Sequence, residues 1–235
     1  MVKKAVLLAA GRGTRMRELT DDLPKPMIAV RGKPILSHII EGLTAAGIER
    51  VLIVVGYRAD VVRDFFGNGS QFGIEIEYVT QVVQDGTGRV VELGRDFCAG
   101  DPFILSYGDI LVDPRNYHSL AQLGPEEAII CVKKNEDVSK GGAVFLNEKF
   151  ELTDLREKPK PGEPTSPWYN AGIYLFRPSI FEFTARLERS PRGEYELTDA
   201  IRALALDGKT VKGLELTGEW ADVRDPEVLH ELNSQ

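Results

Sequence analysis

Short apolar segments alternate with amphipathic segments over the first 112 residues, and this alternation restricts the possible folds more than any other feature. Residues 51–55 (Val-Leu-Ile-Val-Val) form a continuous apolar run that is typical of a buried parallel strand. The spacing of isoleucine and leucine over residues 33–47 predicts an amphipathic helix. The same reasoning predicts strands at 5–9, 74–79 and 103–106, and helices at 60–66 and 87–97. Such alternation predicts a mainly parallel sheet covered by helices.

The pattern changes in the second half of the chain, where strand-like segments follow one another with little helix between them. These segments lie at residues 128–133, 142–146, 150–155 and 171–176, and are followed by predicted helices at 180–187 and 197–206 and a strand at 210–216. We therefore predict an α/β fold, a Rossmann-like three-layer sandwich whose mixed central sheet is mainly parallel. We expect the strands of the second half to form a small antiparallel extension of this sheet, which makes up a second lobe.

Charge and cysteine content narrow the class of protein. The 235 residues carry a formal net charge of −7, which disfavours a globally basic nucleic-acid binder. Residues 1–33 nevertheless hold eight Lys and Arg against three Asp and Glu, which indicates a local anion site. No segment approaches the roughly 18 apolar residues of a membrane span. Two distant cysteines, Cys98 and Cys131, favour a reduced, cytoplasmic protein without a zinc site.

A glycine-rich turn follows the first predicted strand and lies within the basic segment. Its sequence is Ala10-Gly11-Arg12-Gly13-Thr14-Arg15-Met16, and Pro24-Lys25-Pro26 follows shortly after. Backbone N–H groups in such a turn can bind phosphate oxygens, and Arg15 and Lys25 add cationic donors. The dinucleotide-binding fingerprint needs a third glycine where Met16 stands, and the Gly-Lys-Ser/Thr sequence of a P-loop is absent. The turn is therefore a candidate phosphate site of another kind.

The composite Leu-x-Ala-Gly-x-Gly-Thr-Arg-Met, then Leu19-Thr20, Pro24-Lys25-Pro26 and Lys33-Pro34-Ile35-Leu36, resembles the signature of sugar-1-phosphate nucleotidylyltransferases, in particular uridylyl- and thymidylyltransferase catalytic domains. Glu18 departs from the proline that many members carry there. The resemblance implies that Arg15 and Lys25 are catalytic. It also implies a set of nucleotide-binding residues in the loop: Leu8, Ala10, Gly11, Gly13 and Thr14.

Two further landmarks of the family occur in the expected order. The segment Gln81-x-x-Gln84-Asp85-Gly86-Thr87-Gly88 is similar to the family's base-recognition segment, which implies that Gln81, Gly86 and Thr87 bind the nucleotide. Asp109 follows a predicted buried strand, and Asp222 lies in a Trp-x-Asp motif. By resemblance, Asp109 and Asp222 hold Mg²⁺, which prefers carboxylate oxygens together with substrate phosphates.

The acceptor side is implied by three more matches. Gly142, Glu157, Lys158 and Asn170 stand where the family binds the sugar phosphate, and charged and amide groups suit a polar ligand of this kind. The segment Glu194-Tyr195-Glu196-Leu197-Thr198-Asp199 resembles another landmark. We assign it no chemical role, and Thr198 is a candidate cap of the helix that follows.

The reaction implied by the resemblance is transfer of a nucleotidyl group from a pyrimidine nucleoside triphosphate, with UTP or dTTP favoured, to a sugar 1-phosphate, with Mg²⁺ as cofactor. Three alternatives stay open: a cytidylyltransferase acting on phosphocholine or another phosphate acceptor, a guanylyl- or adenylyltransferase, and a non-catalytic subunit that binds sugar nucleotides. We expect no nucleic-acid or membrane partner, and a monomer or small homo-oligomer.

Residues 1–235 are expected to form a single nucleotidyltransferase domain. Within it, we expect a nucleotide-binding half over 1–112 and a sugar-phosphate-binding half over 113–235. We expect no C-terminal β-helix.

Overall fold

The computed structural model describes residues 1–122 and 124–234. Leu123 and Gln235, which belong to the predicted sugar-phosphate half, lie outside the described residues. In chain order the strands are β1 (Lys4–Ala9), β2 (Ala29–Val30), β3 (Lys33–Pro34), β4 (Arg50–Val55), β5 (Glu75–Thr80), β6 (Phe103–Tyr107), β7 (Ile110–Val112), β8 (Ala128–Lys134), β9 (Gly142–Leu146), β10 (Leu152–Glu157), β11 (Trp168–Phe176), β12 (Val211–Glu215) and β13 (Trp220–Asp222).

Helices lie between many of these strands, in both halves of the chain. They are α1 (Ile35–Ala45), α2 (Ala59–Phe66), α3 (Thr87–Glu92), α4 (Arg95–Cys98), α5 (Arg115–Leu120), α6 (Ile180–Thr184), α7 (Leu197–Leu206) and α8 (Pro226–Asn233). Short 3₁₀ helices occur at Thr14–Thr20, Lys25–Met27, Ser70–Phe72 and Val138–Lys140. Within residues 1–122 and 124–234, no helix has the length and hydropathy needed to cross a membrane.

The chain divides into two compact units, and neither is continuous in sequence. The first unit contains Met1–Gln84, Leu105–Gln122 and residues 217–234, and the second contains Asp85–Ile104 and residues 124–216. β6 starts in the second unit and ends in the first. The chain therefore passes from one unit to the other in the middle of a strand.

The first unit is built on parallel strands. β1 pairs with β4 along its whole length, and β4 pairs with β5 in the same way. Apart from Leu8, the apolar residues of β1 and β4 are almost fully buried, and each buried valine, leucine or isoleucine contributes about 1.5–3 kcal/mol. α1 begins at Ile35 instead of residue 33, because Lys33 and Pro34 form β3 and Pro34 has an extended backbone. Its buried side is the predicted one, formed by Ile35, Leu36, Ile39, Ile40 and Leu43.

The second unit contains a mixed sheet. β8 pairs antiparallel with β11 and parallel with β12, and β9 pairs antiparallel with β10 and β11. The predicted α/β fold, with a mixed and mainly parallel central sheet and an antiparallel part, is confirmed. The predicted helix at 87–97 is two short helices, α3 and α4, separated by Leu93 and Gly94.

One strand boundary differs from the prediction in a way that matters for the site. The predicted strand at 150–155 is β10, which starts at Leu152 because Phe150 has a left-handed backbone with φ 63° in the preceding turn. β10 also extends two residues further than predicted and ends at Glu157. β11 likewise starts at Trp168, earlier than predicted, and includes Asn170.

Candidate active site

The glycine-rich loop leaves β1 and is fastened to the 3₁₀ helix that follows it. Gly13 has φ 73°, a left-handed conformation that favours glycine, and its carbonyl accepts hydrogen bonds from Met16 N (2.9 Å) and Thr20 Oγ1 (3.1 Å). A Cβ added at Gly13 would lie 2.7 Å from Lys25 Cβ, whereas one added at Gly11 would meet no atom within 4 Å. Gly13 is therefore required by the fold of the loop, and Gly11 leaves open space over its backbone.

A cavity of about 300 Å³ lies beside this loop within the first unit. Seven of the predicted site residues line it, and these are Leu8, Gly11, Gly13, Thr14, Arg15, Lys25 and Asp109. Arg224 also lines the cavity, although the sequence reasoning did not identify it. The one feature of the sequence that could have indicated Arg224 is its position two residues after Asp222. The cavity wall thus combines bare backbone with three cationic side chains, which is an arrangement suited to phosphate groups.

Lys25 and Asp109 line this cavity, and Asp222, which is not a lining residue, lies beside Lys25 although the three are far apart in the sequence. Lys25 Nζ donates a short hydrogen bond to Asp109 Oδ2 and lies 4.0 Å from Asp222 Oδ1. The three side chains are largely shielded, with 12% of Lys25, 27% of Asp109 and 21% of Asp222 exposed. A lysine and two carboxylates thus share one partly desolvated site.

The pairing of two short strands explains why the two carboxylates meet. β13 runs antiparallel to β7, with Asp222 opposite Ile110, and Val223 N donates to the carbonyl of Asp109 (3.0 Å). Gly108 precedes Asp109, and its N–H donates to the carbonyl of Leu8 at 2.9 Å. A Cβ at Gly108 would lie 2.9 Å from that same oxygen. The ends of β1, β6 and β13 are therefore held close to one another by backbone contacts.

The charge at this site is set by burial and by opposing neighbours. Burial and the nearby Asp109 carboxylate raise the pKa of Asp222, while Lys25, Arg224 and Arg15 act in the opposite direction. Two adjacent, partly buried carboxylates offer the hard oxygen donors that a divalent cation prefers. Among the described residues no three His, Cys, Asp or Glu side chains form a metal cluster. The donor set therefore fits a cation that takes its remaining ligands from substrate phosphates and water.

The predicted base-recognition residue Gln81 follows β5 in the first unit. Its side-chain amide donates to the carbonyl of Val83 (2.9 Å), so its orientation is held within its own turn. Gln84 Nε2 donates to the carbonyl of Ala10 (3.2 Å), and this bond joins the turn to the glycine-rich loop. Gln84 is part of the motif, but its contact with Ala10 depends on a separation of 74 residues that no local pattern reveals.

Gly86 and Thr87 lie in the second unit, at the start of α3. Tyr195 N donates to the carbonyl of Asp85 (2.8 Å), and Gly88 N donates to the carbonyl of Tyr195 (2.8 Å). A Cβ at Gly86 would lie 2.5 Å from both Tyr195 N and Tyr195 O. Within this structure, the absence of a side chain at Gly86 is required by the main chain of Tyr195. The segment that resembled a family landmark without a role is therefore the support of this loop.

Three of the predicted acceptor residues are neighbours on adjacent strands of the second unit. Glu157 on β10 lies opposite Gly142 on β9, and Asn170 Cβ is 3.0 Å from where a Cβ on Gly142 would stand. Asn170 is buried, and its Nδ2 donates to the Tyr174 hydroxyl at 2.8 Å. A glycine at position 142 therefore lets Asn170 pack directly against the backbone beside Glu157.

Glu157 and Lys158 line a second cavity of about 450 Å³, also within this unit. Burial, followed by the charge of Glu196, raises the pKa of Glu157 to about 6, against the opposing effects of Lys158 and Arg192. Arg192 Nη1 lies 3.3 Å from Glu157 Oε1, a contact that the sequence reasoning missed. Gly142 and Asn170 are not among the residues that line this cavity.

The candidate cap Thr198 lies inside α7, where it is buried. Glu196 occupies the position before the first helical residue, and no side chain caps the backbone there. Among the described residues, Thr198 Oγ1 has no hydrogen-bond partner. The capping prediction is wrong because the helix starts one residue before Thr198.

The fold and the cationic loop define an α/β protein with a candidate phosphate site at the ends of parallel strands. The chain belongs to the nucleotidyl transferase family, whose model matches residues 4–235. The bifunctional protein GlmU of Methanocaldococcus jannaschii is 37% identical over 229 residues, which cover 97% of this chain and 53% of that protein. A glucose-1-phosphate thymidylyltransferase of Streptomyces griseus is 35% identical over 233 residues, which cover 98% of this chain and 65% of that protein.

A solved structure agrees with these relatives. The crystal structure of a UDP-glucose pyrophosphorylase complexed with UDP-glucose has a TM-score of 0.89 and 26% identity, and the alignment covers 100% of this chain and 98% of that chain. The chain spans about half the length of the GlmU proteins that it matches. The resemblance found from the motifs is confirmed at the level of the family.

Proposed function

We propose that the chain transfers a nucleotidyl group from a pyrimidine nucleoside triphosphate, with UTP or dTTP favoured, to a sugar 1-phosphate, and releases pyrophosphate. The observation that carries the proposal is the position of Lys25 Nζ between the carboxylates of Asp109 and Asp222, beside a glycine-rich loop. Family membership and the activities for which the relatives are named support the same reaction.

The proposed chemistry is an in-line displacement at the α-phosphorus of the nucleotide. An oxygen of the sugar phosphate forms a bond to that phosphorus, and the bond to the pyrophosphate breaks. A phosphate monoester is already anionic at neutral pH, so no general base is needed. The protein has to align two anions and neutralise the charge that moves onto the leaving group.

The first unit supplies the groups that this reaction needs around the triphosphate. Backbone N–H groups near Gly11 and Gly13 would hold phosphate oxygens, with Leu8, Ala10 and Thr14 as further contacts. Arg15 would hold the leaving β- and γ-phosphates, and Lys25 would contact the phosphates that react. Both cations act by stabilising the charge of the transition state.

Nucleotidyl transferases of this family generally use a divalent metal ion, and we propose Mg²⁺. Asp109 and Asp222 would hold the ion, because both carboxylates lie beside Lys25 and Asp109 lines the cavity. When bound, the ion supplies positive charge to phosphate oxygens at the reacting centre. Lys25, which pairs with both carboxylates, is then available to a phosphate group.

The base and the acceptor are assigned to different sets of residues. Gln81, Gly86 and Thr87 would recognise the pyrimidine. On the acceptor side, Glu157 would accept hydrogen bonds from sugar hydroxyls, and Asn170 would accept them from or donate them to these hydroxyls. Gly142 would contribute its backbone, and Lys158 would contact the phosphate. We assign nucleotide binding to residues 1–112 and sugar-phosphate binding to residues 113–235 of a single domain.

We place the enzyme in the cytoplasm, where its proposed nucleotide substrates are found, as a monomer or small homo-oligomer. The test of the function is a pyrophosphate-release assay over a panel of nucleoside triphosphates and phosphate acceptors, with Mg²⁺ present. We expect release with UTP or dTTP and a sugar 1-phosphate. Release only with CTP and phosphocholine, or with no pair, would contradict the proposal, and the second result would favour a non-catalytic binding protein.

A further inference from the structure

The carboxylate of Glu196 is buried, although the reaction proposed above does not use it. Only 7% of its side chain is exposed. Ser190 Oγ donates to Glu196 Oε1 at 3.1 Å, and Arg192 Nη1 lies 3.3 Å from the same oxygen. Burying a carboxylate is costly unless hydrogen-bond donors and positive charge replace its water, and Ser190 and Arg192 provide these. The turn over residues 190–196 therefore closes on Glu196.

The same guanidinium nitrogen also contacts a second carboxylate, that of Glu157, whose side chain is 23% exposed. Arg192 Nη1 is 3.3 Å from Glu157 Oε1, which is also the distance to Glu196 Oε1. The other terminal nitrogen, Nη2, lies 3.5 Å from Glu194 Oε2, and the Glu194 side chain is 47% exposed. Glu196 thus shares Arg192 with Glu157 and limits how far the guanidinium can turn toward Glu157.

This sharing leaves one oxygen of Glu157 available. Both neighbouring cations, Arg192 and Lys158, contact Oε1 of Glu157, at 3.3 and 4.0 Å. Within residues 1–122 and 124–234, Oε2 of Glu157 receives no hydrogen bond. Arginine readily binds a carboxylate through two parallel hydrogen bonds, which would occupy both oxygens. The second carboxylate beside Arg192 opposes that arrangement.

Glu196 is also held in place by the loop assigned to the nucleotide base. The residue before it, Tyr195, exchanges backbone hydrogen bonds with Asp85 and Gly88, each of 2.8 Å. Arg89, on the first turn of α3, lies over the Tyr195 ring at 4.3 Å from its centroid. The position of Glu196 is therefore fixed by the main chain and not by its side-chain contacts alone.

We propose that Glu196 is a positioning residue for acceptor recognition, which acts through Arg192 and keeps Oε2 of Glu157 free to accept a hydrogen bond from a hydroxyl of the acceptor. The proposal rests on the acceptor role assigned to Glu157 under the proposed function. It gives a role to the segment 194–199, for which the sequence offered none.

The charges that face Glu157 affect its pKa, so the proposal can be tested by titrating this carboxyl. Lys158 and Arg192 favour its ionised form, whereas burial and the Glu196 carboxylate favour its protonated form. Replacing Glu196 by glutamine removes the opposing negative charge but keeps the size of the side chain. Arg192 can then turn its two nitrogens toward Glu157, which lowers the pKa of Glu157 and occupies Oε2.

The test compares wild type, Glu196→Gln and Glu194→Gln, the last being a matched control that touches Arg192 but not Glu157. The Glu157 carboxyl is titrated by ¹³C NMR in the ligand-free protein, with its signal assigned from Glu157→Gln. The KM values for the sugar 1-phosphate and for the nucleoside triphosphate are then measured across pH 5–8. Circular dichroism and thermal unfolding confirm that each variant is folded.

We expect Glu196→Gln to lower the titration midpoint of Glu157 and to raise the KM of the acceptor at pH 7.5 by about tenfold, the range for a lost hydrogen bond to a charged group. The KM of the nucleotide should change less than about twofold, and Glu194→Gln should resemble wild type. An unchanged midpoint, or a changed midpoint with an unchanged acceptor KM, would overturn the proposal. Inactivity of the wild-type enzyme with every substrate pair would contradict the proposed function, and the NMR midpoints would still decide whether Glu196 acts on Glu157.

Discussion

Lys25 and Asp109 form an ion pair in which both side chains are largely shielded from solvent, and Asp222 lies 4.0 Å from the same ammonium group. Burying charges is costly, so each of these groups depends on its partners. The proposed substrates and metal ion would give each group a new partner of opposite charge. A phosphate can pair with Lys25, and a cation can pair with the two carboxylates. The charged groups that the proposed reaction requires are therefore already positioned together in the folded chain.

Replacing Lys25 tests this role. Lys25→Met should lower kcat by about 100- to 1,000-fold, because it removes charge stabilisation that the transition state needs. Lys33→Met is the matched control, since Lys33 forms an exposed ion pair with Glu41 and lines no part of the cavity. Steady-state kinetics measures kcat for both variants, and circular dichroism checks that they are folded. Near-normal turnover of folded Lys25→Met would contradict the assignment.

Removing the metal tests the two carboxylates. EDTA should abolish pyrophosphate release, and added Mg²⁺ should restore it. Asp222→Asn should raise the Mg²⁺ concentration needed for half-maximal rate by about tenfold or more, because it removes one charged ligand. Asp225→Asn is the control, since Asp225 caps α8 through the N–H of Val228 and asparagine caps helices equally well. An unchanged Mg²⁺ requirement in Asp222→Asn would exclude it as a ligand.

The two glycines of the phosphate loop should respond differently to alanine. Gly13→Ala should lower the free energy of unfolding by at least about 1 kcal/mol, because the backbone is left-handed there and the added Cβ would lie 2.7 Å from Lys25 Cβ. At Gly11 an added methyl group meets no atom of the protein, so thermal unfolding should be unchanged. Gly11→Ala should instead raise the KM of the nucleotide, because the methyl group occupies space assigned to phosphate. A stable Gly11→Ala enzyme with an unaltered nucleotide KM would argue against the phosphate cradle.

Loss of the Glu157 carboxylate should affect the acceptor selectively. Glu157→Ala should raise the KM of the sugar 1-phosphate by about tenfold or more and leave the KM of the nucleotide nearly unchanged. Initial-rate kinetics with each substrate varied in turn measures both values. Equal effects on the two substrates would count against an acceptor role for Glu157.

The raised pKa of Glu157 predicts how stability depends on pH. Its pKa is about 6 in the folded chain against an ordinary value of 4.5, so protonation of Glu157 stabilises the folded state. That contribution is complete below pH 4.5 and is lost as the pH rises through 6. Glu157→Gln resembles the protonated form at every pH, so its stability relative to wild type should increase by about 2 kcal/mol between pH 4.5 and 7. Urea unfolding at several pH values would contradict this if the difference stayed constant.

Sequence reasoning located the groups that follow directly from local pattern. A buried strand that ends in a glycine-rich turn placed Gly11 and Gly13, and a second buried strand placed Asp109. Asp222 required the family resemblance, because its position beside Asp109 results from the pairing of β13 with β7 across 113 residues. Arg192 and Gln84 were missed as functional residues for the same reason. Which distant groups they contact is decided by tertiary packing, and a linear pattern does not contain that information.

The end of β10 shows a subtler limit. Apolar alternation placed this strand two residues too early, because alternation does not register that Phe150 adopts a left-handed backbone. Only the correct boundary places Glu157 at the last position of the strand, opposite Gly142. The role of the segment at 194–199 was hidden for another reason, since Tyr195 supports the loop at Gly86 through main-chain atoms that any residue possesses.

The most direct test of the proposed reaction is product analysis of purified protein incubated with Mg²⁺, UTP or dTTP, and a panel of sugar 1-phosphates. Mass spectrometry would identify the sugar nucleotide, and a coupled assay would quantify pyrophosphate. We expect equal amounts of both products with at least one pair, and a rate for Lys25→Met of no more than about 1% of the wild-type rate. Release of inorganic phosphate in place of pyrophosphate, or no product with any pair, would contradict it.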